Sequence, residues 1–519
     1  MSSATDVRAP RGARRTVAVD APPPRLEAPQ TRLERLRTPR PTDRLAGWIV
    51  TAVLTVAAAL TRFWGVGFPR EKIFDEAYYP ANAAEMLHNG YENNPGHLFV
   101  VHPPLGKWFI SIGVEIFGNN STGWRTPTAA AGTITVLVLV RLVRRMTGST
   151  LLGAIAGVLL IADGLSLVMA RTSLLDIFLQ PLIVGGFFAL VIDRDHMRAR
   201  LREVITAGPV LASVKMRIPR MGPRPWRLIG GMLLGASCSV KWSGVWFLAG
   251  FAILSILWDR NAFASAGVRR PTAGTAVRSL PFAFVTLVLV PIATYLATWT
   301  GWFMGENSYD RHWADGLGGR WSWIPAPLRS LWHYHSEALT FHDHLTSQHP
   351  YESQPWAWIF DARPVNYYYP TEGIKGCGDA GHCVRQIVAL GTPALWWAFV
   401  PAVFYSAWLI VSRRDWRAVS VLVAFLAGWA SWLINPSRTM FFFYMVPLVP
   451  FLIIGVTQIL GDVLGSPAAK EPRRAIGLAA LAIYLGLVLL DFAYLWPVLT
   501  GQSITQTGWS DRMWLNSWI

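Results

Sequence analysis

Long apolar runs recur along this chain, and they limit its possible folds more than any other feature does. Hydrophobic residues make up 52% of its 519 residues, whereas charged residues make up only 15%. About eleven runs approach the ~20 residues that a bilayer-spanning helix requires. They lie near residues 45–67, 125–143, 149–169, 172–192, 228–241, 243–258, 279–300, 393–411, 418–434, 439–460 and 476–498. The sequence therefore predicts an all-α polytopic membrane protein with about 11 transmembrane helices.

The distribution of positive charge predicts how the protein is oriented. The net charge is +16, and ten Arg residues fall within the first 44 residues, which have no apolar core. We interpret residues 1–44 as a disordered basic tail in the cytoplasm and residues 45–519 as one membrane domain. The basic residues are concentrated in the loops that lie on the same side of the membrane as the tail. We therefore expect membrane lipids as partners and no nucleic acid. The two long segments 68–124 and 301–392 then face outwards, as does the C-terminus.

Two adjacent carboxylates, Asp75 and Glu76, follow the first apolar run closely. An acidic pair at the mouth of a membrane is costly unless it engages a cation, a substrate or a proton, so the pair is a candidate site. The alternative is a solvated loop that happens to contain Asp-Glu. Further along the same segment, a helix is predicted between Pro80 and Gly90. A second, amphipathic helix is predicted at 105–116 from the helical spacing of its apolar residues.

Cysteine and histidine usage suggests two further sites in the 301–392 segment. Cys377 and Cys383 lie on the side where oxidation is permitted, and their spacing fits no common zinc pattern, so a small structural disulfide is favoured over a zinc site. Five of the eleven histidines lie between His333 and His349. A metal site is one interpretation of that cluster. Packing and hydrogen bonding beside aromatic residues is the favoured one.

Several short motifs, taken in their order and spacing, resemble the bacterial protein O-mannosyltransferases over about residues 45–500. The resemblance is carried by Phe74-Asp75-Glu76, His102-Pro-Pro-Leu-Gly-Lys107, Arg171 with Leu174-Leu175-Asp176, Lys241-Trp242-Ser243-Gly244, His342, His349-Pro-Tyr-Glu-Ser-Gln-Pro-Trp356, and Phe441-Phe-Phe-Tyr444 before Pro447 and Pro450-Phe451. The family implies a GT-C-type membrane glycosyltransferase architecture. The 301–392 segment is too short to carry the β-trefoil domain that eukaryotic members insert there.

The resemblance implies transfer of mannose from a polyprenyl-phosphate-mannose donor to Ser or Thr hydroxyls of secreted proteins. We expect this reaction at the outer face of the plasma membrane, coupled to the Sec translocon, with inversion at the sugar. The lipid donor is the only expected cofactor, and a role for a divalent metal stays open. Two alternatives remain. A related enzyme would glycosylate a glycan or lipid, and a transporter would have comparable spans, although no repeated halves are visible.

The chemistry of this transfer assigns expected roles to the matched residues. A Ser hydroxyl needs a base, for which Asp75 is the candidate, while Glu76 holds the acceptor peptide or fixes a nearby cation. The departing phosphate needs fixed positive charge. The candidate cations are Lys107, Arg125, Arg171, Lys241 and Arg438. His102, His342 and His349 are expected to line the site, and Asp176 is expected to pair with Arg171, either within the site or as a structural ion pair.

Overall fold

The structure is a computed structural model that describes residues 29–92, 101–207, 219, 221–372, 374, 376–377, 383–465 and 471–519. Within these ranges, nine helices are long and apolar enough to cross a bilayer. They are Arg44–Phe63, Ser121–Thr147, Asp176–Ala207, Gly244–Ser265, Leu280–Thr298, Pro393–Arg413, Trp416–Leu433, Phe442–Leu464 and Arg473–Thr500. The predicted polytopic helical fold is confirmed, although the count of about eleven spans is not.

Two of the predicted spans are shorter helices in the described chain. The run at 149–169 is divided into Thr150–Ile161 and Gly164–Met169. The division follows from Asp163, whose carboxylate accepts a hydrogen bond from the Ser166 amide at 2.8 Å and so caps a new helix. The run at 228–241 is the 14-residue helix Pro225–Cys238. Neither run supplies one helix of the ~20 residues that a full crossing needs.

The spanning helices differ in how deeply they lie within the protein. The most apolar 18-residue windows of Phe442–Leu464 and Asp176–Ala207 are 89% and 78% buried, so these helices form the centre of the bundle. The corresponding window of Arg44–Phe63 is only 17% buried, which leaves most of that helix for contact with lipid. The core is therefore centred on these two helices, with Ser121–Thr147 next at 56% buried, whereas the first span and the last, Arg473–Thr500 at 22%, lie at its edge.

The last part of the predicted disordered tail, from residue 29 onwards, is ordered in the structure. Pro29–Arg35 is a short helix, and the Leu36 side chain after it is fully buried. Leu36 packs in a small cluster with Leu201 and Phe263, near the ends of two spanning helices. Residues 1–28 of the predicted tail lie outside the described residues. The membrane domain therefore begins to pack before residue 45.

The two long segments contain most of the remaining elements. The 68–124 segment forms a 3₁₀ turn and two helices, Phe74–Ala77, Tyr79–Asn89 and Leu105–Phe117. Pro80 lies in the first turn of the first helix, and Gly90 ends it with a left-handed φ of 81°, so that helix is confirmed. Ile112 and Ile116 on the second helix are exposed, as an interfacial helix requires. The other helices within the described residues are Pro271–Arg278, Thr300–Met304, Ala326–Asp343, Pro355–Trp358, Gln506–Ser510 and the short 3₁₀ helix Asn516–Trp518.

Two small antiparallel ladders complete the 301–392 segment. Val365–Tyr368 pairs with Ile387–Ala389, and Cys383–Arg385 pairs with Ser503–Thr505 near the C-terminus. Cys377 and Cys383 form a disulfide with their Cα atoms 5.7 Å apart, as predicted. The disulfide therefore fastens this segment beside a strand that the C-terminal region supplies.

Candidate functional site

The acidic pair lies on a backbone turn that is strained and held by aromatic rings. Phe74, immediately before Asp75, has a φ of 50°, which a bulky residue rarely adopts. Its ring lies with its centroid 4.9–5.8 Å from those of His349, Tyr367, Phe441 and Phe443. Such packing can maintain a strained conformation of about 1–3 kcal/mol, and strained residues cluster at functional sites. The turn fixes the directions of the two carboxylates that follow.

Glu76 is fully buried in an ion pair with Arg125. The guanidinium donates to both carboxylate oxygens, at 2.7 and 2.6 Å. The backbone amides of Ile73 and Ser173 donate to the same carboxylate at 3.0 and 2.7 Å. The predicted role of Glu76 in fixing a nearby cation is thus met, and that cation is Arg125. Because both side chains are saturated with internal partners, Arg125 is not presented to a phosphate.

Asp75 has a different environment. It is partly buried, it shares a hydrogen bond with the Tyr79 hydroxyl, and its electrostatic partners are Lys241 and Asp176. The pKa of Asp75 is raised to about 6: burial raises it most, the charge of Lys241 partly offsets that rise, and the charge of Asp176 adds to it. A carboxylate with a pKa near 6 is mostly ionised at neutral pH and is more basic than an ordinary Asp, as suits a general base.

The prediction that Asp176 pairs with Arg171 is wrong. Asp176 pairs with Lys241 instead, with the ammonium 2.6 Å from the carboxylate. Arg171 donates to the carbonyl oxygens at the end of the first spanning helix, at 3.4, 3.3 and 3.2 Å for Thr61, Arg62 and Gly65, and also to that of Trp64. The last carbonyls of a helix lack amide donors within that helix, and one guanidinium donates to several of them at once. The Gly65 carbonyl, just beyond the helix, also accepts from the Phe68 amide at 3.0 Å.

Lys107 is also occupied by an internal partner. Its side chain is completely buried and forms an ion pair with Glu92. Of the five cations predicted to hold phosphate, Lys241 and Arg438 therefore remain as the two that line an open cavity.

We call this space the basic cavity. Its volume is about 300 Å³. It is lined by His102, Lys241, Trp242, Ser243, Trp246, Leu339, His342, Asp343, Ser431, Trp432, Ile434, Asn435, Arg438 and Tyr444. Three of its apolar side chains, Trp246, Leu339 and Ile434, are 46%, 52% and 69% exposed. The cavity thus combines fixed positive charge with a strongly apolar border.

A neutral histidine links Arg438 to the 68–124 segment. The His342 Nε2 atom is 2.9 Å from the Val101 carbonyl oxygen, and its Nδ1 atom is 3.2 Å from Arg438 Nη2. Since a carbonyl only accepts and a guanidinium only donates, the ring carries its proton on Nε2 and accepts at Nδ1. Burial, together with the charge of Arg438, lowers the pKa of His342 to about 4. His102, whose ring centroid is 5.3 Å from that of His342, also has a pKa well below its ordinary value because it is buried.

His349 lies beside the acidic turn and is not among the residues lining the basic cavity. Its ring centroid is 5.8 Å from that of Phe74, and its Nδ1 atom accepts from the Tyr351 amide at 3.2 Å. The five clustered histidines do not converge on one point. His333 lies near carboxylates, His335 contacts the Tyr295 hydroxyl at 2.5 Å, and His344 contacts a helical carbonyl at 2.8 Å.

Sequence reasoning did not identify two members of this site. Tyr79, the hydrogen-bond partner of Asp75, lies four residues after it, a spacing that could have suggested the contact. Tyr444, whose ring lies 5.6 Å from the Lys241 ammonium, was recognised only as part of a motif. Its place in the basic cavity depends on tertiary packing.

Comparison with known proteins gives consistent matches along the chain. A protein-family model described as the C-terminal four TMM region of protein-O-mannosyltransferase matches residues 327–518. The model of dolichyl-phosphate-mannose-protein mannosyltransferase matches residues 101–216. A polyprenol-phosphate-mannose–protein mannosyltransferase of Mycobacterium tuberculosis (strain ATCC 25618 / H37Rv) is 45% identical, covering 92% of this chain and 93% of that protein. The protein of the same name from Corynebacterium glutamicum is 36% identical, covering 90% and 92%.

Solved structures support the fold. The Saccharomyces cerevisiae protein O-mannosyltransferase Pmt1-Pmt2 complex bound to the sugar donor matches with a TM-score of 0.69 at 15% identity, covering 95% of both chains. ArnT from Cupriavidus metallidurans bound to undecaprenyl phosphate matches with a TM-score of 0.50 at 15% identity, covering 88% of this chain and 77% of that one. At these identities the likeness concerns the arrangement of helices, which is the predicted GT-C-type architecture.

Proposed function

This chain belongs to the family of polyprenol-phosphate-mannose–protein mannosyltransferases, and we propose how its residues transfer mannose from the lipid phosphate to a protein hydroxyl. The observation that carries the proposal is the basic cavity beside Asp75. It combines two fixed cations, an apolar border and a neighbouring carboxylate whose pKa is about 6. A sugar on a polyprenyl phosphate presents matching chemistry, with an anionic phosphate, an apolar chain and a carbon open to attack.

Asp75 is the general base of the proposed step. The oxygen of an acceptor Ser or Thr attacks the anomeric carbon of mannose while its proton passes to Asp75. The bond from that carbon to the phosphate oxygen breaks, and the electron pair leaves with the polyprenyl phosphate. One displacement inverts the anomeric centre, so no covalent enzyme intermediate is required. With a pKa of about 6, roughly nine-tenths of Asp75 is ionised at pH 7.

Lys241 and Arg438 hold the phosphate in this proposal. Both line the basic cavity, and both are fixed by other residues, Lys241 through Asp176 and Arg438 through His342. Positive charge held in advance stabilises a developing phosphate anion without the cost of rearrangement. The apolar border at Trp246, Leu339 and Ile434 gives the polyprenyl chain a route towards the bilayer.

The other predicted site residues support this arrangement without supplying charge to the phosphate. Glu76 and Arg125 hold the acidic turn, Arg171 ends the first spanning helix, and Lys107 anchors its helix through Glu92. His102 shapes the inner wall of the basic cavity, and His349 packs against Phe74. We assign these side chains to positioning.

We further propose that the reaction occurs at the outer face of the plasma membrane on polypeptides leaving the Sec translocon. The bias of Lys and Arg towards the loops on the side of the N-terminus supports the orientation. In that orientation the acidic turn and the basic cavity face outwards, where the acceptor chains emerge.

Transfer by the purified protein in nanodiscs tests the proposal. Labelled polyprenyl-phosphate-mannose is incubated with a Ser/Thr-rich peptide, with the same peptide carrying Ala at every Ser and Thr, and with a free oligosaccharide. We expect label on the first peptide alone. Label on the oligosaccharide and not on the peptide would indicate the related enzyme that glycosylates glycans. Movement of intact donor without transfer would indicate a transporter.

A further inference from the structure

Three potential metal ligands converge in the 301–392 segment, and none of the three is among the residues that line the basic cavity. Asp310, His333 and Glu337 each bring one ligand atom to within 4.8 Å of the others, and we call them the carboxylate–histidine triad. The His333 Nε2 atom lies 3.4 Å from a Glu337 oxygen and 3.7 Å from an Asp310 oxygen. His333 and Glu337 are one turn apart on the Ala326–Asp343 helix, so a rigid element fixes two of the three ligands.

Neighbouring side chains hold the triad in its geometry. The Trp313 ring stacks on the His333 ring at 3.9 Å with an angle of 7° between the planes. The Tyr309 hydroxyl donates to the second oxygen of Glu337 at 3.0 Å, which leaves the first oxygen directed at His333. Partners of this kind, which fix a ring plane and one carboxylate oxygen, are typical of metal sites, where they orient the ligands.

Open space adjoins the ligand atoms. A separate cavity of about 450 Å³ is lined by Tyr309, His333 and Glu337, together with residues of the same helix and Val101. The side chains of His333 and Glu337 are 26% and 44% exposed towards solvent. An ion bound by three protein ligands needs water or another small ligand to complete its coordination, and this cavity provides the room.

We propose that the carboxylate–histidine triad binds one divalent first-row transition-metal ion, Mn²⁺ or Zn²⁺. An imidazole nitrogen with two carboxylate oxygens suits these ions, whereas Mg²⁺ and Ca²⁺ favour sites made of oxygen alone. The bound ion joins the loop at Asp310 to the helix that carries His342 nine residues after His333. The proposal concerns binding and does not depend on the proposed mannosyl transfer.

The competing explanation is that His333 contacts the two carboxylates directly, without a metal. Both explanations bring the same three side chains together, but they differ in what a metal titration finds. A second histidine in the segment provides a matched control. His312 contacts Asp315 through Nδ1 at 2.6 Å and Glu306 through Nε2 at 3.3 Å, so its carboxylates lie on opposite sides of the ring and do not converge.

Mn²⁺ titration of the full-length protein tests the inference. The protein in nanodiscs is freed of metal with a chelator, and unbound Mn²⁺ is counted from its electron paramagnetic resonance signal, with Zn²⁺ competition and a Mg²⁺ comparison. We expect one Mn²⁺ per chain, displaced by Zn²⁺. Glu337→Gln and Asp310→Asn should each weaken binding at least about tenfold, while His312→Gln should bind as the unaltered protein does. Thermal unfolding of each variant without metal checks that it is folded.

Two results would overturn the proposal. One is the absence of binding by the unaltered protein up to millimolar Mn²⁺ and Zn²⁺, which would leave direct contact of His333 with the two carboxylates as the explanation. The other is unchanged binding in both Glu337→Gln and Asp310→Asn, which would place any bound ion elsewhere.

Discussion

Replacement of Asp75 by Asn separates the chemical role of this carboxylate from its effect on stability. Asn keeps nearly the same volume and can still hydrogen-bond to Tyr79, but it cannot accept a proton from an acceptor hydroxyl. We expect transfer to fall at least ~100-fold while donor binding is preserved. In the unaltered enzyme the rate should rise about tenfold per pH unit below pH 6 and level off above it, since the pKa of Asp75 is about 6.

The same substitution should stabilise the folded protein at neutral pH. The ordinary pKa is 3.8 and the folded value about 6, so the folded state binds the proton more tightly than the unfolded state does. Stability is therefore greatest below pH 4, declines as the pH rises towards 6, and stays reduced above that. The gap corresponds to about 3 kcal/mol, and partial exposure of Asp75 makes this an upper value. Asn carries no charge, so Asp75→Asn removes the free-energy cost of burying an ionised carboxylate at this position.

Thermal unfolding in nanodiscs between pH 4 and pH 8, together with the transfer assay, measures both effects. Asp75→Asn should unfold at a higher temperature than the unaltered protein at pH 8, and the two should converge near pH 4. Glu115→Gln, at an exposed acidic residue in the same segment, is the matched control and should change neither measurement. Substantial transfer by Asp75→Asn would remove Asp75 as the base. A lower unfolding temperature at pH 8 would refute the account of its environment.

The remaining predictions test the ion pairs, the phosphate cations and the orientation. Glu76→Gln leaves the buried Arg125 guanidinium without its counter-ion, and we expect thermal unfolding to report a loss of about 3–5 kcal/mol. Arg438→Lys should weaken binding of labelled donor because the planar fork of donors is lost, whereas Arg171→Lys should lower stability and leave donor affinity unchanged. Equal effects of the two on donor affinity would contradict the proposed division of roles. Cysteine at Asn119 should react with an impermeant thiol reagent in intact cells and cysteine at Thr206 should not; the reverse result would invert the topology.

Local sequence signals were enough to predict the nine long spanning helices of the described chain and the disulfide. Hydrophobic run length located the spanning helices, and Pro80 with Gly90 bounded the first helix of the 68–124 segment. The run at 149–169 shows the limit of that method. Hydropathy alone does not reveal that the Asp163 carboxylate turns back to cap a new helix in the middle of an apolar stretch.

The partners of charged residues could not be predicted, for a physical reason. Asp176 lies five residues from Arg171, yet its partner is Lys241, which is 65 residues away along the chain. Arg171 and Lys241 each carry one positive charge, so charge alone does not decide which of them pairs with Asp176. The choice is made by the carbonyls at the end of the first spanning helix, which accept hydrogen bonds from Arg171 and so occupy its guanidinium. Competition of this kind depends on which helix ends meet, and a single sequence does not contain that information.

The short connector from Arg171 to Asp176 has a fixed length and contacts three parts of the molecule that are distant in sequence. All six of its residues are buried. At one end Arg171 holds the first spanning helix, in the middle the Ser173 amide holds Glu76, and at the other end Asp176 holds Lys241. The distance from the acidic turn to Lys241 is therefore set by the length of this connector. An inserted or deleted residue here would shift the turn against the cation, whereas the neighbouring helices could absorb a change of length at their far ends.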